Sequence, residues 1–295
     1  MEDLESWIKA GKIAAKALEY GRGEIKKEAS LLDVTEKVEK KIIALGGGLG
    51  FPVQISLNHI AAHSCPEIND IVVFSDQLVK IDVGVEVKGC IGDNACTVDL
   101  SGNFSGLVKA AKDALDAAVK MARPGQKIGE IGATIKEIIS GAGFSPIRNL
   151  SGHGLAPYDV HSSPMIPNFD DGDTNILEDG MIIAVEPFAT NGAGIVIETA
   201  NATVFALDEP RPVRDRVTRQ ILEDIKKFNG LPFAKRWLQQ KYSPLRAGLA
   251  IKQMLDLGAL RQYPPLAEKQ KGFVSQAEHT VLVGDIPRIL TKNGE

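Results

Sequence analysis

The chain has 295 residues, 44% of them hydrophobic, so it exceeds one small domain and can bury a substantial core. Its 34 Lys and Arg against 38 Asp and Glu leave a net charge of −4 and a pI near 5.8, with no global basic signature of nucleic-acid binding. No apolar run reaches membrane-spanning length, and the N-terminus lacks the basic and apolar regions of a signal peptide.

Leu4, Ile8, Ala15 and Leu18 fall at helical spacing and predict a first helix over roughly 2–20. A second is predicted over 33–45, closed by the stop signal Gly46-Gly47-Gly48. The strand-like FPVQISL follows, and then the stretch VKIDVGVEVKGCIGDNACTVDL, residues 79–100. There Lys80, Asp82, Gly84 and Glu86 alternate with Ile81, Val83, Val85 and Val87, the period of a half-buried strand. A turn around Val87-Lys88-Gly89, flanked by Glu86 and Gly89, predicts a hairpin with Asp82 and Asp93 opposed or within one register step. Like charges facing across strands repel, so the pair calls for a shared proton or a cation, unless one aspartate lies in water at a frayed end.

After Gly102 a helix is predicted near 104–122, the breaker Pro124-Gly125 follows, and another helix is predicted near 127–140. A strand and a second hairpin-like stretch, GMIIAVEPFATNGAGIVIET, come next. GFPVQISLNH (50–59) resembles GFSPIRNLSGH (143–153), and the order helix, helix, strand, hairpin occurs twice. Duplication would give an α+β unit of two related halves around antiparallel sheet, with a ligand site between them. Residues 208–271 break the pattern, with 14 Lys and Arg against 7 Asp and Glu, and read as helices near 213–228, 232–241 and 245–258. We take 208–271 as an inserted helical subdomain, basic on a solvated surface or able to touch RNA. Residues 1–207 and 272–295 form the interrupted main domain, to which VSQAEHTVLV (274–283) returns as a strand.

The cysteines, Cys65, Cys90 and Cys96, are odd in number and lack CxxC spacing, which suits small apolar side chains in a reducing cytoplasm better than a disulfide framework. Five histidines occur, His59, His63, His153, His161 and His279, in polar or glycine-bounded settings. His153 lies in SGHG, where two glycines permit close backbone approach. Glu186 interrupts the apolar MIIAVEPF, and Glu278 sits in VSQAEHTVLV. Each is an edge carboxylate in water or a buried one that must be paired, protonated or bound to metal. Taken together, Asp82, Asp93, His153, Glu186 and Glu278 are a carboxylate-rich set suited to Mn, Fe, Co or Zn ions, and four carboxylates can bridge two of them.

The motifs KIDVG, GDNACT, NLSGHG, the VH of APYDVHSSP, IIAVEPF and QAEHT, in that order, resemble the methionine aminopeptidases, specifically the type 2 branch in its short archaeal-like form. The resemblance runs the length of the chain. It implies the pita-bread fold, an α+β architecture of two pseudo-symmetric halves, with a winged-helix-like insertion. It implies two divalent metal ions per chain, one chelated by Asp82, the other by His153 and Glu186, with Asp93 and Glu278 bridging both. Glu186 is the implied proton-transfer residue, His63 and His161 the substrate-contacting histidines, and Phe51 and Tyr263 aromatics of the methionine pocket. His59 and His279 match no catalytic position.

The activity implied is hydrolytic release of N-terminal methionine from proteins and peptides whose second residue is small and uncharged. The implied partners are nascent polypeptides beginning with methionine, with the ribosome a candidate surface, no membrane and no specific DNA, for a cytoplasmic monomer. Gly92 and Asn94 stand where the family usually has alanine and a hydroxyl residue, and Asn191 replaces an apolar one. One alternative is an Xaa-Pro peptidase, prolidase or aminopeptidase P, which usually carries an additional N-terminal domain. Another is a non-catalytic RNA- or ribosome-binding relative, favoured by the basic insert and opposed by the intact ligand set.

Overall fold

The computed structural model describes residues 3–292. Helix α1, Leu4–Glu24, starts at Asp3, whose carboxylate accepts from the Ser6 N–H. It buries a face of mostly small residues, Ala10, Gly11, Ala14 and Ala17 among them. That face lets α1 lie directly on the aspartate hairpin. A Cβ on Gly92 would come within 2.6 Å of the Ala10 backbone, so the glycine is required by the helix it packs against. Helix α2, Leu31–Ala44, is capped by Ser30 and covers the same sheet through Val34, Val38 and Ile42.

That sheet is built on the strand Leu78–Val87, flanked by Cys90–Asp99 on one side and by Gln54–Leu57 and Gly48–Leu49 on the other. The turn lies one residue further along than predicted, closed by Val87 and Cys90 rather than by Glu86 and Gly89. Lys88 and Gly89, at φ 51° and 88°, form a two-residue loop, and Val87 pairs with Cys90. The register therefore shifts by two: Asp82 faces Ala95 and Asp93 faces Gly84. The aspartates share a face as diagonal neighbours rather than as an opposed pair. The strand Leu78–Val87 is also covered on both faces instead of one, with Lys80 only 1% exposed. Its alternation separates core from site, not core from water.

The second half repeats the order. Helices α3, Ser105–Lys120, and α4, Ile128–Gly141, pack on a five-stranded antiparallel sheet. Its order is Arg288–Ile289, His279–Leu282, Ile182–Val185, Ser151–Ala156, Asp159–Pro167. The expected second hairpin at 180–199 is absent. Its residues divide among three sheets as Ile182–Val185, Phe188–Thr190 and Val196–Glu198. Pro187, with no N–H for a ladder, and Gly194 at φ 71° redirect the chain between them.

Three further helices, α5 (Arg216–Ile225), α6 (Lys235–Tyr242) and α7 (Pro244–Asp256), pack around Ile221, Ile225, Leu238 and Met254. A three-stranded sheet of Phe233–Ala234, Val204–Leu207 and Leu260–Tyr263 joins them. Leu266–Glu268 pairs instead with Ile60–Ala62 and Val196–Glu198.

Arg236 of α6 is 1% exposed and meets Glu39 of α2 through both terminal nitrogens, at 3.0 and 2.6 Å, while Trp237 donates to the same carboxylate at 3.2 Å. Glu39→Ala leaves that guanidinium buried and unpaired. We expect a stability loss of about 3–5 kcal/mol by urea unfolding, whereas the exposed Lys252–Asp256 pair, broken by Asp256→Ala, costs under about 1 kcal/mol.

Candidate metal centre

The hairpin strand Cys90–Asp99 is stitched to the end of the chain, and this brings distant carboxylates together. The Asp93 N–H donates to Thr280 Oγ1 at 2.8 Å, and the Thr280 hydroxyl donates back to the Asp93 carbonyl at 2.8 Å. The Glu278 N–H donates to the Ala95 carbonyl at 3.0 Å. Thr97 Oγ1 donates to the Gln276 carbonyl and accepts from its N–H, at 2.7 and 2.8 Å. Asp93 and Glu278 are thereby held side by side with 3% and 2% exposure.

His153 arrives from the strand Ser151–Ala156. Its flanking glycines allow neighbouring backbones to close in: a Cβ on Gly152 would lie 2.2 Å from the Ala184 carbonyl oxygen, and one on Gly154 2.1 Å from that of Ser163. The His153 Nδ1–H donates to the Gly154 carbonyl at 3.2 Å, which leaves the Nε2 lone pair facing the carboxylates. Nε2 lies 3.5 Å from Glu186 Oε1 and 3.9 Å from Asp93 Oδ2. Burial, then the neighbouring His161, lowers the His153 pKa to about 3, so the imidazole is neutral and free to act as a ligand.

Asp82, Asp93, His153, Glu186 and Glu278 line one cavity of about 220 Å³. Asp93, His153 and Glu278 each present a ligand atom to it, all within 4.8 Å of one another. Asp82 Oδ1, Asp93 Oδ1 and Glu278 Oε2 are buried and have no hydrogen-bond partner. Burial raises the Asp82 pKa to about 7, against hydrogen bonds from Gln276 and the Val83 N–H. Burial, and then mutual repulsion, holds Asp93, Glu186 and Glu278 well above the carboxylate range. Four carboxylates, three of them with an unmatched buried oxygen, and one neutral imidazole fit a divalent cation of the Mn, Fe, Co or Zn type.

His63, His161, Phe51 and Tyr263 line the same cavity. His63 sits at φ 63°, with its buried Nδ1 unpartnered, and burial followed by His161 lowers its pKa to about 4. Tyr263 stands between the two histidines, 5.5 Å from the His63 ring and 6.0 Å from that of His161, which in turn is 4.7 Å from His153. Phe51 lies over Gly84, where any Cβ would strike its ring, which accounts for the glycine of KIDVG. His279 points away to Thr291 Oγ1 at 3.0 Å, outside the cavity lining. Asn191 accepts from the Phe273 N–H, and Asn94 is fully buried with neither side-chain atom bonded.

Sequence reasoning passed over three residues here. Gln276 offers Nε2 to both Asp82 Oδ2 and Glu186 Oε2, each at 3.4 Å, and so spans carboxylates from the two halves. Lys80, whose Nζ donates to the Asn58 carbonyl at 2.9 Å, is lowered by burial to about 7. Gln54 faces the cavity from the strand beside Asp82. Gln276 had one signal, a polar residue two positions ahead of Glu278 in the same motif. Neither other residue had any.

A model described as metallopeptidase family M24 matches residues 5–231. A methionine aminopeptidase of Archaeoglobus fulgidus is 45% identical over 286 residues, covering 96% of each chain. One of Thermococcus onnurineus is 44% identical over 286 residues, covering 96% of this chain and 97% of the relative. Among solved structures, methionine aminopeptidase of Thermotoga maritima superposes with a TM-score of 0.72 at 24% identity, covering 99% and 97% of the two chains. A thermophilic Arx1 superposes with a TM-score of 0.86 at 15% identity, covering 100% and 92%. Prolidase of Pyrococcus furiosus reaches 0.64 at 20% identity, and this chain spans 65% of it. At these identities the structural likeness speaks for the fold, which is the pita-bread arrangement of two helix-backed antiparallel halves.

Proposed function

The chain belongs to metallopeptidase family M24 and, within it, to the methionine aminopeptidases, and from this we infer that it is a metallohydrolase that removes N-terminal methionine from proteins and peptides. The observation that carries the chemistry is the single cavity walled by four buried carboxylates and a neutral imidazole. The substrate we assign is a chain whose second residue is small and uncharged. In this reading Asp82, Asp93, His153, Glu186 and Glu278 would hold two divalent ions. Bound there, the cations supply Lewis acidity toward the scissile carbonyl and toward water.

The protein's own groups do the rest. The anionic wall attracts the substrate's free amine. Glu186, its affinity for a proton raised by burial and by Asp82 and Asp93, is placed to take a proton from the attacking water and return it to the leaving amine. His63 and His161, lying on one side of the cavity around Tyr263, face the carbonyl as it becomes tetrahedral. Phe51 and Tyr263 supply the apolar surface for the thioether. Among the described residues no helix is long and apolar enough to cross a membrane, and the three cysteines are free, which accords with a cytoplasmic location. The residues 208–271 remain our candidate for contacts with larger partners such as the ribosome, and we take the working unit as one chain.

The test is peptide hydrolysis by the metal-loaded protein. Met-Ala-Ser is expected to be cleaved after methionine, and an Ala-Pro peptide to be left intact. Cleavage confined to the bond before proline would transfer the chain to the Xaa-Pro peptidases.

A further inference from the structure

Gln54 is 9% exposed and lies in register with Asp82 across the strand pair, so its side chain shares the face that walls the cavity. One end of its carboxamide is committed. The His63 N–H donates to Gln54 Oε1 at 2.7 Å, and because a backbone N–H requires an acceptor, this contact sets which end of the amide is oxygen. The NH2 end must then point the other way. Among the described residues no acceptor takes it, yet it is not among the sealed-off polar atoms, so it opens to the cavity. Asn149, another carboxamide of the lining, has both ends spent on Val196, at 2.8 and 2.9 Å. Gln54 is thus a half-used amide. It sits three residues from Phe51 and among Ala62, Val160 and Phe188, the apolar lining that would take the first side chain of a substrate.

We propose that Gln54 is a specificity-determining residue whose free amide N–H donates to the sulfur of the bound first residue, so that the cavity tells methionine from its isostere norleucine. This rests on the aminopeptidase reading above. A thioether sulfur is a weak acceptor and a methylene is none, so the donor distinguishes two side chains of the same shape. Without sulfur, the N–H stays unpaired as the cavity is desolvated, a cost that norleucine meets and methionine does not.

The experiment compares kcat/KM of the metal-loaded full chain on Met-Ala-Ser and norleucine-Ala-Ser, for the natural protein and for Gln54→Leu. The natural protein is expected to favour methionine roughly threefold to tenfold, the range of one neutral hydrogen bond, and Gln54→Leu to bring the ratio close to one. Loss of the acceptor for the His63 N–H slows both substrates alike and cancels in the ratio. A ratio that the substitution leaves unchanged, or an equal fall through KM for both peptides, overturns the proposal. Calorimetric titration of the natural protein with free methionine and free norleucine gives the same ratio without turnover and without a variant. Equal affinities there overturn it as well. Failure to cleave Met-Ala-Ser at all would instead count against the aminopeptidase reading, and the titration still decides the role of Gln54.

Discussion

Asp93→Asn is expected to lower kcat/KM on Met-Ala-Ser by on the order of 10³-fold and to reduce the metal retained per chain. The substitution keeps the shape of the side chain and removes its charge. The Asp93 backbone is clamped on both sides by Thr280, so the strand it sits on should not move. What changes is one buried oxygen that has no protein partner and is available to a cation. Several kcal/mol of charge stabilisation rest on that cation, and each ~1.4 kcal/mol lost is a factor of ten in rate. Elemental analysis alongside the rate separates a metal-site effect from a general one. His59→Ala is the control, since the part of His59 the fold uses is its carbonyl, which accepts from the Glu268 N–H, and activity should be preserved. Full metal content and full rate in Asp93→Asn would remove Asp93 from the centre.

The metal-stripped protein should lose stability as the pH rises, opposite to the usual behaviour of a folded carboxylate. Asp82 is raised from 3.8 to about 7, and Asp93, Glu186 and Glu278 are raised well above 3.8 and 4.5, burial being the largest cause in each. Between the unfolded and folded values the native state therefore holds more protons than the unfolded one, and ∂ΔG/∂pH is negative. Stability is greatest below the unfolded values and falls as the pH climbs through the folded ones. A bound divalent cation replaces those protons and cancels the repulsion. The melting temperature of loaded minus stripped protein should thus widen from pH 5.5 to pH 8, by at least ~3 °C if the four groups together contribute ~1 kcal/mol more. Carboxylates elsewhere are common to both forms and drop out of the difference. A gap that stays constant across that range would mean the cluster is not where the cation binds.

Much of the framework was legible because it is written in periods. The first four helices and the aspartate hairpin follow from 3.6- and 2-residue spacing, and the predicted bounds lie within a few residues of those observed. The carboxylates stood out because a charge inside an apolar strand needs a reason. The register did not follow, since a two-residue loop of Lys88-Gly89 with two positive φ angles and one of Val87-Lys88 look alike in letters. The division of 180–199 among three sheets depends on partners far along the chain, Val274–Gln276 and Leu266–Glu268, which local pattern does not carry. Gln54, Lys80 and Gln276 were passed over for a related reason. Polar residues opposite a core face look water-facing in sequence, and only the packed molecule shows that all three are buried and that Gln54 looks into the cavity.

The reciprocal pairing of Asp93 with Thr280 joins positions 187 residues apart. The ends of a ring that large meet at a greater loop-closure entropy cost than the local helices and the hairpin require. Until they do, Asp82 and Asp93 are two neighbouring acids on a partly built sheet, and Glu278 has not yet been brought to them. Uptake of the cation is therefore coupled to this closure of the chain, and an incomplete or unlatched molecule carries no competent hydrolytic centre.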